Sequence, residues 1–111
     1  RQMCIRDREI MGNLRWRDVQ GINMLARATV VRKERSLAYS IDREFSELLR
    51  KIGIGDKADV HVADMKRPVS FKAVMKLLGN KYYIHVPRWA VAFYEWGEEV
   101  ELLITILSIR R

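Results

Sequence analysis

The sequence predicts a mainly β domain with two short helices, built as a pseudo-symmetric pair of β-β-α-β repeats that share one core. Three observations predict it. Residues 81–106 read strand, proline, short helix, glycine-acid turn, strand. Residues 36–62 spell the same order of features in different words. The chain has 111 residues, 49% of them hydrophobic, which suits one small domain with its own core.

The elements follow in chain order. Residues 1–23 form an N-terminal extension with no clean hydrophobic period. Within it, Met3-Cys4-Ile5-Arg6-Asp7 resembles the translation of a transposon-type sequencing adapter, so residues 1–8 are expected to be an artefact of that origin. Ile10, Leu14 and Trp16 are the extension's candidates for docking on the domain. The domain itself is expected to begin at Met24, ahead of Met11 as a start. Repeat 1 spans residues 24–64. Its first two strands flank the turn Arg32-Lys33-Glu34-Arg35, and Asp42 is a good helix-start residue. Phe45, Leu48, Leu49 and Ile52 fall at i, i+3, i+4, i+7, so a helix over residues 42–51 buries one face. Gly53 fits the position just past its end. The linker is residues 63–70, with Lys66-Arg67-Pro68 as its clearest break.

Repeat 2 spans residues 65–111. A shift of 45 lays Leu37 on Tyr82, Tyr39 on Ile84, Ile41 on Val86 and Arg43 on Arg88. Asp42 then meets Pro87, which suits a first helical turn because it has no N–H to donate. After a three-residue deletion, Gly55-Asp56-Lys57-Ala58-Asp59-Val60 falls on Gly97-Glu98-Glu99-Val100-Glu101-Leu102. The second helix, residues 87–96, is apolar nearly all round. It is expected to sit deep in the core or to face another chain.

Composition removes several classes. No apolar run approaches the roughly 20 residues of a membrane helix. No apolar h-region marks a secretory signal, so the expected location is cytoplasmic. The single Cys4 excludes an internal disulfide, and no Cys/His spacing points to zinc. A net charge of +7 raises the odds of a polyanionic partner, nucleic acid first. From Met24 onward there is no Cys, no Gln and only Asn80, a composition found in thermophile proteins.

Tyr83-Ile84-His85-Val86-Pro87-Arg88 with Gly97-Glu98-Glu99-Val100-Glu101-Leu102 resembles the SpoVT/AbrB-type swapped-hairpin domain. The first copy carries Ser40-Ile41-Asp42-Arg43 with Gly55-Asp56-Lys57-Ala58-Asp59-Val60. The resemblance covers residues 27–106. It implies that two units exchange hairpins to close one double-psi-like barrel, here with both units in one chain, an arrangement similar to MraZ-like members. It also implies a transcription regulator or antitoxin that binds DNA through basic residues on one face. Asp42 in place of proline, and a short aromatic second helix, depart from the pattern.

The nucleic-acid-binding candidates are Arg32, Lys33, Arg35, Arg43, Lys76, Lys81 and Arg88. The Arg32–Arg35 turn is the densest basic cluster. It reads either as a phosphate and base-edge contact or as a solvated hairpin tip. Arg43 and Arg88 recur at matching helix starts. They read as phosphate holders beside free N–H groups or, for Arg43, as a salt bridge to Glu47 at i+4. Arg50, Lys51 and Lys57 are explained by the end of the first helix, and Lys66 and Arg67 by a solvated linker. Trp89, Phe93 and Trp96 are the candidate oligomer interface. Tyr82, Tyr83, Trp89 and Trp96 could stack on single-stranded bases but more often serve as core. His61 and His85 lack partners at metal-ligand spacing. No catalytic set or cofactor motif is read, so no enzyme is expected.

The expected function is double-stranded DNA binding by a transcriptional regulator, as a possible homo-oligomer. The alternative is a protein-interaction or oligomerisation module, antitoxin-like or an ATPase adaptor barrel, without DNA binding. The sequence stops at Ile109-Arg110-Arg111, so a toxin-wrapping tail is not expected and the antitoxin reading is lowered, unless the reading frame runs on past Arg111.

Overall fold

The computed structural model describes residues 2–4 and 15–110 of the chain. Its strands are β1 (Gln2–Cys4), β2 (Asn23–Lys33), β3 (Ser36–Ile41), β4 (Lys57–Asp64), β5 (Ser70–Leu78), β6 (Lys81–His85) and β7 (Glu99–Arg110). The helices among the described residues are three short ones: α1 (Trp16–Val19), α2 (Arg43–Lys51) and a 3₁₀ helix (Arg88–Phe93). Most of the adapter-like stretch, together with Met11 and the docking candidates Ile10 and Leu14, lies outside the described residues.

Six strands close an antiparallel barrel in the order β2-β3-β6-β5-β4-β7, with β7 returning to β2. Closure gives each strand of the barrel a paired neighbour on both sides, which a lone hairpin cannot do. β1 adds in parallel beside the first residues of β2. Strand alternation sorts the side chains. Met24, Ala26, Ala28 and Val30 of β2, Ala58, Val60 and Val62 of β4, and Val100, Leu102, Ile104 and Ile106 of β7 are all buried inside. Their neighbours along each strand point outward.

The two hairpins share one register. Val30 lies opposite Tyr39, and Met75 lies opposite Ile84, each residue displaced by the same 45. β3 and β6 pair with each other across this relation, with Tyr39 facing Ile84. The strands after the helices depart from the sequence match. Val60 lies opposite Ala73, and Val100 lies opposite Ala28, the counterpart of Ala73. Val60 therefore corresponds to Val100, not to Leu102. A slip of two residues keeps every side chain on its own face, so hydrophobic alternation cannot detect it.

Asp42 caps α2, accepting the Glu44 N–H on its carboxylate at 2.7 Å. Phe45, Leu48, Leu49 and Ile52 are buried, as the helical spacing predicts. Ser46 is buried on the same helix, and its Oγ accepts the Tyr82 N–H at 3.1 Å, tying α2 to β6. The second helix differs from expectation. It is a 3₁₀ helix over Arg88–Phe93, and of its residues only Ala90 is buried. Tight 3₁₀ winding lets the chain reach β7 in fewer residues, and it leaves Trp89, Phe93 and Trp96 exposed rather than deep in the core. The segment before Met24 also packs on the barrel. Val19 is fully buried, and Trp16 donates its N–H to Ile52 O at 2.7 Å.

Candidate nucleic-acid interface

The outer faces of β3, β6 and β5 form the floor of a groove of about 1000 Å³. The β2–β3 turn supplies one wall and the 3₁₀ helix the other. Lys33 and Arg35 come from the turn, Lys76 from β5 and Arg88 from the 3₁₀ helix. Val74, Ala38, Tyr83 and His85 line the floor between them. Lys33 extends over the Tyr83 ring, Nζ 5.7 Å from its centre, within the range of a cation–π contact. Among the described residues, no carboxylate lies within ion-pair distance of Lys33, Arg35, Lys76 or Arg88. Among the described residues, Glu34 is the one acid lining this groove. It holds the turn with φ of 56°, a left-handed conformation that non-glycine residues seldom adopt.

Two further candidates line a smaller hollow. Arg43 and Lys81, with Arg27, surround about 330 Å³ beside Ser40, Asp42 and Glu99. Ser40 pairs with Tyr83 across β3 and β6, so the hollow and the groove meet at that rung. Arg43 also makes the i+4 pair with Glu47, at 3.5 Å and largely exposed on both sides. Such a surface pair is worth about 0.3–0.5 kcal/mol and releases easily. Arg32 stands apart. It sits opposite Leu37, on the inward-facing parity at the barrel's mouth, and its guanidinium covers Trp96 at 5.1 Å. The fold thus brings four of the seven candidates into one groove and two into its neighbour, and it turns Arg32 toward an aromatic ring.

Sequence reasoning missed two arrangements. Lys57 lies directly opposite Lys76, and Arg110 directly opposite Lys57, so the basic surface continues across β4 to the end of β7. Spacing along the chain carries no signal for this, because the three residues come from three strands.

The second arrangement is a buried polar clasp at one end of the barrel. Tyr39 Oη donates to Tyr94 Oη at 2.7 Å, and Tyr94 Oη donates to Asp64 Oδ2 at 2.6 Å. Arg67 binds Asp64 at 3.3 Å and Glu98 at 2.6 Å, and its guanidinium lies 4.9 Å from the centre of the Tyr94 ring. Arg67, expected in a solvated linker, is instead what ties the linker to the turn before β7. Burial pushes the Tyr39 phenol up to about 12 and raises Tyr94 further, helped by its hydrogen bond to Asp64. Phenols held so far above neutral pH stay protonated and donate. Among the described residues, no buried side-chain polar atom lacks a partner, and these five line neither hollow of the basic face. The clasp is a structural device.

Tyr82, a stacking candidate, is fully buried, and its hydroxyl donates to the Gly55 carbonyl. Tyr83 is the aromatic residue that reaches the groove. Among the described residues, no group of His, Cys, Asp and Glu is placed to hold a metal ion, and no helix is long and apolar enough to cross a membrane. Comparison with known proteins matches no family model, no curated protein and no solved structure.

Proposed function

We propose that the chain is a double-stranded DNA-binding transcriptional regulator of the AbrB-like class, with two tandem units that exchange hairpins to close its barrel. One observation carries the reading: Lys33, Arg35, Lys76 and Arg88, from two hairpins and a helix, converge on one groove without carboxylate partners among the described residues. Converging unpaired cations repel one another, and a polyanion relieves that repulsion. Lysines and arginines there would hold phosphates, and the arginine forks of Arg35 and Arg88 can also read guanine edges. Arg43, Lys81 and Arg32 flank the contact. The mechanism is occlusion or bending of promoter DNA by this face in the cytoplasm.

A titration of duplex DNA over a range of salt concentrations tests it. Affinity should fall steeply and log-linearly with salt, as counterions are released. Affinity indifferent to salt, or absent at low salt, would sink the reading.

A second reading rests on Trp89, Phe93 and Trp96, exposed at 57%, 43% and 67%. Large aromatics left in solvent fit an oligomerisation or protein-interaction module, such as an antitoxin-like or ATPase-adaptor barrel. Replacing Lys33, Arg35 and Arg88 with Ser separates the classes: a regulator loses DNA, whereas an adaptor keeps its partner. Replacing Trp89 and Trp96 with Ser should lower the mass in sedimentation if the patch joins copies of the chain.

A further inference from the structure

Lys57 and Lys76 sit directly opposite each other on β4 and β5, and Arg110 sits directly opposite Lys57 on β7. On the other side Lys76 faces Tyr83, over whose ring Lys33 reaches. Four cations therefore follow one line across the outer face of the barrel. Neighbouring strands lie about 4.8 Å apart, and directly opposed side chains begin about 5 Å apart. Like charges placed this way destabilise a sheet. Among the described residues, Lys57 and Lys76 have no ion-pair partner to offset it. Arg110 does have one. Its guanidinium binds Asp59 at 2.9 Å, and Asp59 also accepts the Ser108 hydroxyl. The end of the line is thus a cation already held in place, with 55% of its side chain in solvent.

We infer that the line Lys33, Lys76, Lys57 and Arg110 is a phosphate track that carries the backbone of duplex DNA out of the groove and across β4 to the end of β7. The inference rests on the DNA-binding reading above and extends its contact surface to Lys57 and Arg110. A row of cations matches a row of phosphodiesters in sign, and DNA bound there would relieve the opposed lysines. The track has no planar amide and only one guanidinium, already engaged by Asp59. It therefore positions the duplex without reading bases.

The experiment measures binding of mixed-sequence duplex DNA against salt for the full chain and for Lys57→Gln, the double variant Lys57→Gln/Lys76→Gln, Asp59→Asn and Lys51→Gln. Each lost phosphate contact should reduce the slope of log affinity against log salt by about 0.9, so the double variant should lose about 1.8. Asp59→Asn, which frees Arg110, should bind more tightly. Lys51 lies in the last turn of α2, outside the track, and Lys51→Gln controls for net charge; its slope should not change. Thermal unfolding without DNA should show Lys57→Gln as stable as the original or more so, opposite in sign to its binding loss. An unchanged slope in Lys57→Gln, with any loss in the double variant no larger than about 0.9, or an equal drop in Lys51→Gln, overturns the track while leaving the DNA-binding reading intact. No binding by the unsubstituted protein overturns both.

Discussion

The Tyr94 hydroxyl donates to the buried Asp64 carboxylate at 2.6 Å, joining residues thirty positions apart in the chain. Asp64 ends β4 and Tyr94 follows the last residue of the 3₁₀ helix, so the bond closes the linker over one end of the barrel. The same carboxylate also accepts the backbone N–H groups of Lys66 and Arg67 at 2.7 and 3.1 Å. A single side chain thus organises the linker turn, the Arg67 bridge and the phenol pair. The Asp64 side chain is only 1% exposed, so its charge depends on these partners in place of water.

Removing that carboxylate is expected to destabilise the fold. Asp64→Ala strips partners from Tyr94, Arg67 and two backbone donors and should cost about 3 kcal/mol, the lower end for a broken buried pair because Arg67 keeps some solvent. Tyr94→Phe leaves the acceptor without one donor and should cost about 1–3 kcal/mol. Urea denaturation of both variants measures this. A loss below half a kcal/mol in Asp64→Ala would remove the clasp from the stability argument.

Alkaline stability should follow the buried phenols. Burial raises Tyr39 and Tyr82 from 10.0 to about 12. A raised pKa means that the folded state binds the proton more tightly than the unfolded chain. The stabilisation is therefore full below pH 10 and is lost as pH rises through about 12. Unfolding free energy should fall across that window, and phenolate absorbance from these two rings should appear together with unfolding. Replacing Tyr82 with Phe should flatten part of the decline. Deprotonation of all four tyrosines near pH 10 in a still-folded chain would contradict it.

Acid should act through Asp59. Its hydrogen bonds from Arg110, and then from Ser108, hold the carboxyl below its usual range. A depressed pKa contributes stability above the unfolded value, and that contribution is lost as pH falls through the folded one. Asp59→Asn should therefore show a shallower loss of stability than the original chain below about pH 4. Parallel acid-unfolding curves for the two proteins would argue against the pairing.

Much of the barrel was legible in the sequence. The alternation of β2 and β7, the Phe45, Leu48, Leu49 and Ile52 face and the Asp42 cap are local patterns that short-range sterics fix. The common register of the two hairpins follows from matching turns. What stayed hidden depends on pairings distant in sequence. Nothing near Arg67 announces Glu98, and nothing near Lys57 announces Lys76. The two-residue slip of β4 against β7 preserves every inward side chain, so pattern matching settles on the glycines instead. Of the two placements expected for the second helix, deep in the core or facing another chain, the structure removes the first: the segment after Pro87 leaves Trp89, Phe93 and Trp96 in solvent. The basic groove was partly legible as a turn full of cations, but Arg32 and Lys33 point to opposite faces of one strand, and only the ladder tells them apart.

Glu34 is expected to be a costly residue where it stands. Its φ of 56° lies in the left-handed region, where a Cβ crowds the backbone at about 1–2 kcal/mol, and its carboxylate faces a groove of cations. Asparagine tolerates that conformation better and carries no charge. Glu34→Asn should therefore raise unfolding free energy by up to about 1 kcal/mol, less whatever attraction the carboxylate has for its basic neighbours. The same change should tighten duplex DNA at low salt, because the groove loses an acid. The two effects are separable: denaturation without DNA reads the backbone term, and the DNA titration reads the charge. If stability rises while DNA affinity falls, Glu34 is itself a contact residue and the groove's cations alone do not account for binding.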